Sequence, residues 1–210
     1  MAGSTAESAT RDRLLAAAID VFATKGYHGA GVDDIVTASG TSKGAFYHYF
    51  SSKRGIFVTL METLAGMVEQ SVEEAIAAQR GALAKVEAAL RVVLETAAQQ
   101  RELARILLVE AVGLGPELEQ KRLEIHRRFA AVIQRHLDRA VAEGSIPPQD
   151  TALAARAWFG ALVEVITQWL VGEGEDLRTR LPALRSLLLR SIGAVETGGR
   201  PTAVPRRRRR

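Results

Sequence analysis

The chain has 210 residues, of which 47% are hydrophobic, 5% are aromatic and none is cysteine. This length suggests one domain or two small ones with a sizeable core, and the lack of cysteine excludes disulfides, thiolate metal sites and cysteine nucleophiles. Residues 1–10 contain no apolar segment of a signal peptide, and charged residues interrupt every long apolar run. We therefore expect a cytoplasmic protein with no membrane partner.

The net charge of +4 is concentrated at the end of the chain, where residues 206–210 are five consecutive arginines. Without them, 23 basic residues face 24 acidic ones, and the net charge becomes −1. The isoelectric point of about 9.7 therefore reflects this segment, and composition alone does not indicate nucleic-acid binding. Residues 196–210, rich in Thr, Gly, Pro and Arg, are predicted to form a disordered Arg-rich tail.

The rest of the chain is predicted to be all-α. Long stretches of Ala, Leu, Glu, Arg and Gln favour helices and carry apolar residues at spacings of three and four. Gly26, Gly144 and Gly172 stand where helices should end, and Pro116 and Pro182 where helices should begin. The predicted helices cover residues 10–24, 32–39, 42–50, 52–80, 82–99, 101–112, 116–143, 149–171 and 182–195.

Residues 32–50 carry the most informative pattern, two short helices joined by a turn at Gly40. With the longer helix before them, this is the spacing of a helix-turn-helix, whose second helix enters the DNA major groove. Phe46 and Phe50 are expected to pack inward, so the opposite face offers polar, basic and small side chains to phosphates and bases. The predicted DNA-binding residues are Thr41, Ser42, Lys43, Gly44, Ala45, Tyr47, His48 and, at the start of the fourth helix, Lys53.

The run Ser-Gly-Thr-Ser-Lys-Gly-Ala-Phe-Tyr-His-Tyr-Phe at residues 39–50, followed by Lys53 and Phe57, resembles the signature of the TetR family of transcriptional repressors. The resemblance extends over roughly residues 1–55. It implies a homodimer that binds a palindromic double-stranded operator. It also implies an N-terminal three-helix DNA-binding domain at residues 1–53 and a C-terminal helical ligand-binding and dimerisation domain at residues 54–195.

The sequence departs from the family pattern at the start of the second helix. The family usually has a serine or threonine there, whereas this chain has Gly31, which can cap a helix but offers no hydroxyl to a phosphate. Asp33 and Asp34 suit the positive end of the helix dipole. Because they would repel DNA phosphates, we expect both to point away from DNA.

The resemblance implies that part of the apolar surface of the second domain lines a pocket for a small-molecule effector. The candidate pocket residues are Leu64, Met67, Leu107, Glu110, Ala111, Phe129, Ile133 and Leu162. Glu110 could be a pocket group, a buried ion-pair partner or a solvated carboxylate.

Residues 103–136 are also similar to sensor domains of fatty-acid-type TetR regulators that bind acyl-CoA. Arg122, Arg127 and Arg128 could contact its phosphates or form a solvated helix face.

The helices at residues 149–171 and 182–195 are the candidate dimer interface. The first carries apolar residues on more than one face, so it must be covered on both sides, and the resemblance implies a four-helix interface. The predicted interface residues are Trp158, Phe159, Leu162, Trp169, Leu184 and Leu188.

Two other classes of function fit the sequence less well. Enzyme motifs such as a nucleophile elbow, a P-loop or a complete dinucleotide-binding fingerprint are missing, and His126 lacks the Glu three residues before it that a di-iron site requires. We expect no enzyme activity, cofactor or metal.

The second alternative is an architectural DNA-binding protein without sequence preference, which needs broad positive charge. Since residues 1–60 carry only six basic and five acidic side chains, we favour a ligand-responsive transcriptional regulator, with repression as the favoured mode.

Overall fold

A computed structural model describes residues 2–172 and 176–194, and every regular element within these ranges is helical, which confirms the all-α prediction. The predicted tail at 196–210 and the last residue of the predicted final helix lie outside the described residues. The elements in chain order are α1 (Ala2–Gly29), α2 (Val32–Ser39), α3 (Lys43–Tyr49), α4 (Lys53–Ala77), α5 (Ala82–Gln99), α6 (Arg101–Arg105), a π-helix (Ile106–Glu110), α7 (Pro116–Ala142), α8 (Thr151–Val171), a 3-10 helix (Leu177–Arg180) and α9 (Leu181–Ser191).

The first three helices pack around a shared aromatic and aliphatic core. Phe46, predicted to pack inward, is completely buried there together with Phe22 and Ile35. Gly26 has a φ of 67°, so the regular helix is interrupted at the predicted residue, although one further helical segment continues to Gly29. Gly40 has a φ of 62°, and this left-handed conformation ends α2 and directs the chain into α3.

Helix α4 belongs to both parts of the molecule. Ser52 caps its first turn by accepting a 3.0 Å hydrogen bond from the amide of Gly55. The next turns place Phe57 against Phe22 of α1, with ring centres 5.4 Å apart, and bury Met61 in the apolar core that joins the first three helices to the π-helix and α7. Its 25 residues extend for about 37 Å at 1.5 Å per residue, so the second half continues along α5 and α7. A displacement of α4 would therefore reach the DNA-binding domain directly.

The predicted helix at residues 101–112 is divided between α6 and the π-helix. The amide of Ala111 donates a 2.9 Å hydrogen bond to the carbonyl of Ile106, five residues earlier. Short π-helical turns often occur at functional sites. Here Ile106 and Leu107 both pack into the core shared with α1, while Leu108 faces the interior of the second domain.

None of the helices in the described ranges is both long and apolar enough to cross a membrane. Within the same ranges, no three acidic or histidine side chains come together in a way that could hold a metal ion.

Candidate functional site

The local structure of α3 presents its polar face outward. Ser42 caps the helix by accepting a 3.0 Å hydrogen bond from the amide of Ala45, and the hydroxyl of Thr41 lies 2.7 Å from that of Ser39. Phe46 is completely buried and anchors the opposite face of the helix. The orientation of α3 is therefore set by its cap and by this aromatic anchor.

The structure brings seven of the eight predicted DNA-binding residues together on this short segment. Ser42, Lys43, Gly44 and His48 are exposed, and Tyr47 is 52% exposed although it is a large aromatic residue. The other two, Thr41 and Ala45, are half-buried at the edge of the same surface. Their contacts with DNA stay a prediction, but the surface has the composition and accessibility that such contacts require.

The two aspartates at the start of α2 have separate partners. Asp33 lies 2.7 Å from the ammonium of Lys43, and this hydrogen bond raises the pKa of Lys43. Both side chains are largely exposed, so the pair is weak and a phosphate could replace the carboxylate. Asp34 accepts hydrogen bonds from Lys25 and from the amide of Gly31. Its pKa is lowered by these two bonds, and the cap at Gly31 therefore forms without a hydroxyl.

Lys53 points toward protein atoms. Its ammonium donates hydrogen bonds of 2.7 Å to the carbonyl oxygen of Tyr27 and 2.8 Å to that of Ala30, and it lies 4.5 Å from the centre of the Tyr27 ring. An ammonium has three N–H donors, so one remains for a phosphate. Lys53 thus stands apart from the other predicted DNA contacts, because it holds the start of α4 against the end of α1 and the residue that follows it.

A cavity of about 940 Å³ lies inside the second domain, between α4, α5, α6 with the π-helix, α7 and α8. This volume is near the upper end for small-molecule sites. Five of the eight predicted pocket residues line it: Leu64, Leu107, Phe129, Ile133 and Leu162. The cavity wall is mainly aliphatic and aromatic, as expected for an apolar ligand.

The other three predicted pocket residues lie elsewhere, and the π-helix explains two of them. Met67 is 39% exposed, and Ala111 is buried in the core shared with α1. Glu110 lies 3.7 Å from Arg105. Its second carboxylate oxygen is buried without a hydrogen-bond partner among the described residues, close to Gly26. The π turn therefore directs Glu110 toward the DNA-binding domain and away from the cavity.

We call the end of the cavity that borders the core shared with α1–α3 the inner end; Phe129, which packs against this core, belongs to an aromatic cluster. The rings of Phe129 and Phe159 stack with their centres 5.5 Å apart, and the ring of His126 lies 4.9 Å from that of Phe159. Burial, and then the charge of Arg122, lower the pKa of His126. His126 is therefore neutral at pH 7 and suits an apolar neighbour.

The three arginines predicted to contact phosphates are in different environments. Arg128 forms ion pairs with Glu62 and Glu69, both at 2.6 Å. Arg127 is exposed and donates to a backbone carbonyl of its own helix. Arg122 lines the cavity, but it is hydrogen bonded to Glu119. Only one of the three therefore faces the cavity, and its charge is already paired.

The cavity opens to solvent at the far end of α4, where sequence reasoning identified no site. All of the fully exposed lining residues lie there, and we call this opening the cavity mouth: Gln79, Arg80, Gly81, Arg139, Glu143 and Ser145. Lys85 and His136 line the wall beside it. These residues come from separate chain segments, so no local spacing in the sequence could have indicated the cluster.

The residues predicted for the dimer interface lie mostly inside the protomer. Trp158, Leu162, Leu184 and Leu188 are buried, and the indole of Trp158 donates a 3.0 Å hydrogen bond to Ser191. Phe159 lines the cavity, and the Trp169 ring lies 5.0 Å from the guanidinium of Arg101. Packing within one chain therefore covers the face that the sequence analysis assigned to a partner. Among the described residues of α8 and α9, the exposed large apolar side chains are those of Leu153, Val171 and Leu187.

Comparison with known proteins agrees with this architecture. Residues 14–60 match the family model for bacterial regulatory proteins of the tetR family, and residues 79–181 match the tetracyclin repressor-like C-terminal domain. The chain is 27% identical over 182 residues to a fatty acid metabolism regulator protein of Bacillus subtilis, a match that covers 86% of this chain and 94% of the relative.

Two solved structures are similar over nearly their whole length. The fatty acid degradation regulator FadR of Bacillus halodurans superposes with a TM-score of 0.82 at 25% identity, covering 89% of this chain and 97% of that one. FadR of Bacillus subtilis in complex with stearoyl-CoA superposes with a TM-score of 0.78 at 26% identity, covering 88% and 98%. With its helix-turn-helix and helical second domain, the chain belongs to the TetR family of bacterial transcriptional regulators.

Proposed function

We propose that this regulator is a homodimeric repressor that binds a palindromic operator and leaves it when a long-chain acyl-CoA enters the cavity. The observation that carries the proposal is the position of α4, which contacts the DNA-binding domain at one end and lines the cavity along the rest of its length. Met61 belongs to the apolar core that joins the DNA-binding domain to the π-helix and α7, and it also lines the cavity. An effector that displaces Met61 therefore acts on the recognition helix through a single rigid element.

The dimensions and lining of the cavity support a long acyl chain as effector. Met61 and Ile76 of α4 both line it, so it extends for about 22 Å at 1.5 Å per helical residue. An extended alkyl chain advances about 1.3 Å per carbon, given a C–C bond of about 1.5 Å. Some 16 to 18 carbons would therefore fill the cavity. The relative from Bacillus subtilis, whose structure contains stearoyl-CoA, supports the same ligand class.

The π-helix gives the effector a second contact with the DNA-binding domain. Leu107 lines the cavity and also belongs, with its neighbour Ile106, to the buried core shared with α1. Only an acyl chain long enough to reach the inner end would press on Met61 and Leu107. Chain length would thus decide whether a bound molecule acts as an effector.

The exposed faces of α8 and α9 are suited to a partner subunit. Leu153 and Leu187 are 59% and 55% exposed, and Ala157 and Gly160 on α8 are exposed and small. Small residues allow two helices to approach closely, and exposed leucines gain free energy when a partner covers them. We propose that these residues, rather than those buried in the protomer, form the dimer contact.

The proposed mechanism is a shift between two arrangements of the dimer. The two recognition helices must enter half-sites separated by about 34–36 Å, one turn of DNA. In the other arrangement the recognition helices are separated by a different distance. An effector that binds this second arrangement more tightly lowers the population of dimers that can bind DNA. The size of the response is set by this difference in affinity.

A mobility-shift assay on the DNA that flanks the gene, with excess random competitor, tests the proposal. We expect a specific complex that stearoyl-CoA dissociates and that octanoyl-CoA, at equal occupancy of the cavity, leaves intact. A specific complex unaffected by either thioester would refute the effector class. Binding without preference over the competitor, and with a steep salt dependence, would instead support the architectural alternative.

A further inference from the structure

We propose that the cavity mouth binds the phosphorylated headgroup of the effector, with Arg80, Lys85 and Arg139 as the cations that hold it. This inference depends on the proposed function, because it concerns how the same cavity binds its ligand. It assigns a binding site to residues that neither the TetR signature nor the sequence pattern identified.

The three cations come from separate segments and meet at one opening. Arg80 lies just after α4, Lys85 is in the first turns of α5, and Arg139 is in the last turn of α7. None of them forms a hydrogen bond or an ion pair through its side chain with the described residues. Glu143 is the one carboxylate that lines the cavity within the described residues, so the mouth keeps an excess of positive charge.

Other basic residues on α7, in contrast, form ion pairs with acidic side chains. Arg128 is paired with two glutamates, and Lys121 is paired with Glu62 and Glu124. Those cations hold α4 and α7 together, and their charge is already compensated. The cations at the mouth have no acidic partner in the part of the chain that the structure describes, although they stand at the entrance of an apolar cavity.

The histidine beside the mouth indicates that these charges converge. His136 lines the cavity, and its Nε2 atom is buried without a hydrogen-bond partner among the described residues. Its closest carboxylate oxygen, from Glu73, is 3.9 Å away, beyond hydrogen-bond distance. Burial lowers the pKa of His136, and the charges of Arg139, Arg135 and Lys85 lower it further, against the opposite effect of Glu73. Lys85 and Arg139 are thus close enough to act on one imidazole, which could itself contact a ligand oxygen.

The cations at the mouth and the apolar interior together decide which end of the ligand lies at the mouth. A group with several negative charges would lose hydration in the apolar interior at a large cost in free energy, whereas at the mouth it remains partly solvated. Arginine binds phosphate oxygens through pairs of N–H donors, and lysine acts as a point charge. A headgroup with several phosphates matches three cations better than the single carboxylate of a fatty acid. The acyl chain then extends inward toward Met61 and Leu107.

Titration calorimetry on the full chain tests this assignment with palmitoyl-CoA and palmitate as probes. The variant is Lys85→Gln/Arg139→Gln. The matched control is Arg91→Gln/Arg127→Gln, which removes two exposed cations from the same two helices outside the cavity. Because the loss of one charge-assisted hydrogen bond is enough to weaken binding about tenfold, we expect the variant to bind palmitoyl-CoA at least tenfold more weakly. We expect palmitate affinity to change less than about threefold, and the control to match the unmodified protein.

The outcomes separate this inference from the proposed function. If the unmodified protein binds palmitoyl-CoA and the variant binds it equally well, the headgroup site is refuted while the acyl-CoA effector survives. Equal losses in variant and control would also refute the site, because they would reflect general charge. If the unmodified protein binds neither probe, the effector class fails and the headgroup site fails with it.

Discussion

The ammonium of Lys53 donates a 2.7 Å hydrogen bond to the backbone carbonyl of Tyr27, which fastens the start of α4 to the last turn of α1. A second bond to Ala30 completes the link. Since hydrogen bonds from charged groups contribute about 1.5–3 kcal/mol, we expect Lys53→Met to lower the free energy of unfolding by about 2 kcal/mol. Urea denaturation measures this change.

Lys43 provides the matched comparison for Lys53. It is also a lysine of the DNA-binding domain, but it is exposed and its ion-pair partner, Asp33, is exposed as well. Lys43→Met should change stability by no more than about 0.5 kcal/mol and should weaken DNA binding. Equal stability of the two variants would mean that Lys53 is free to act mainly as a phosphate contact.

Tyr47 is expected to contact a phosphate from the exposed face of α3. Because its side chain is 52% exposed, Tyr47→Ala should leave the unfolding temperature nearly unchanged. The variant should bind operator and unrelated DNA more weakly by a similar factor, as the loss of a phosphate contact does. Fluorescence anisotropy on both DNAs measures the ratio. A changed base preference with unchanged affinity would instead assign Tyr47 to base recognition.

Basic residues at intervals of two helical turns connect α7 to α4. Lys121 pairs with Glu62, Arg128 with Glu62 and Glu69, and Arg135 with Glu73. Replacing the central arginine by Arg128→Met should lower the free energy of unfolding by about 1 kcal/mol, since the cluster is partly exposed. Thermal denaturation checks this, with exposed Arg127→Met as a control that should have little effect.

The same cluster predicts a pH dependence. The hydrogen bond from Lys121, and then that from Arg128, lower the pKa of Glu62 below its usual 4.5. Because the pKa is lower in the folded protein, ionised Glu62 stabilises the fold above pH 4.5, and this contribution disappears as pH falls through the folded value. The stability difference between the protein and Glu62→Gln should therefore be present at pH 7 and shrink below pH 4.5. A difference that grows in acid would contradict the assigned pairing.

The cavity can be blocked without changing the DNA-binding surface. Ala89 of α5 lines the cavity and belongs to the second domain. In Ala89→Phe an aromatic ring should occupy the space of the acyl chain, so stearoyl-CoA should no longer release the protein from DNA. Mobility-shift titrations measure the response, and operator affinity without effector serves as the internal control. Normal release by stearoyl-CoA would show that the effector binds elsewhere.

The proposed dimer contact predicts a change in oligomeric state. Leu187 is 55% exposed on α9, so Leu187→Glu should leave the fold intact and place a charge in the interface. We expect sedimentation to show a monomer that binds a palindromic operator at least tenfold more weakly. Leu123→Glu is the control, because Leu123 is also exposed but lies on α7. A dimer in both variants would place the interface on another surface.

The helix-turn-helix was predictable because its determinants are local. Gly26 and Gly40 take the left-handed conformations that interrupt helices, Ser42 and Ser52 cap the next two, and Phe46 lies in the core. Each of these features depends on neighbours within a few turns, so residue type and spacing were sufficient to indicate it. The all-α class followed from the same periodicity.

The position of the sites depended on contacts that sequence spacing does not record. The apolar face of α8 that carries Trp158 could be covered by a partner subunit or by the same chain. The packed structure reveals that α9 of the same chain covers Trp158. The π turn rotates Glu110 away from the cavity, although regular helical spacing places it on the same helix face as the predicted pocket residue Leu107. Arg80, Lys85 and Arg139 meet at one opening only because three helix ends converge. Residue type and spacing were therefore sufficient for the local elements and the family, whereas tertiary packing sets which faces are buried, which cations have no partner among the described residues and where a ligand can enter.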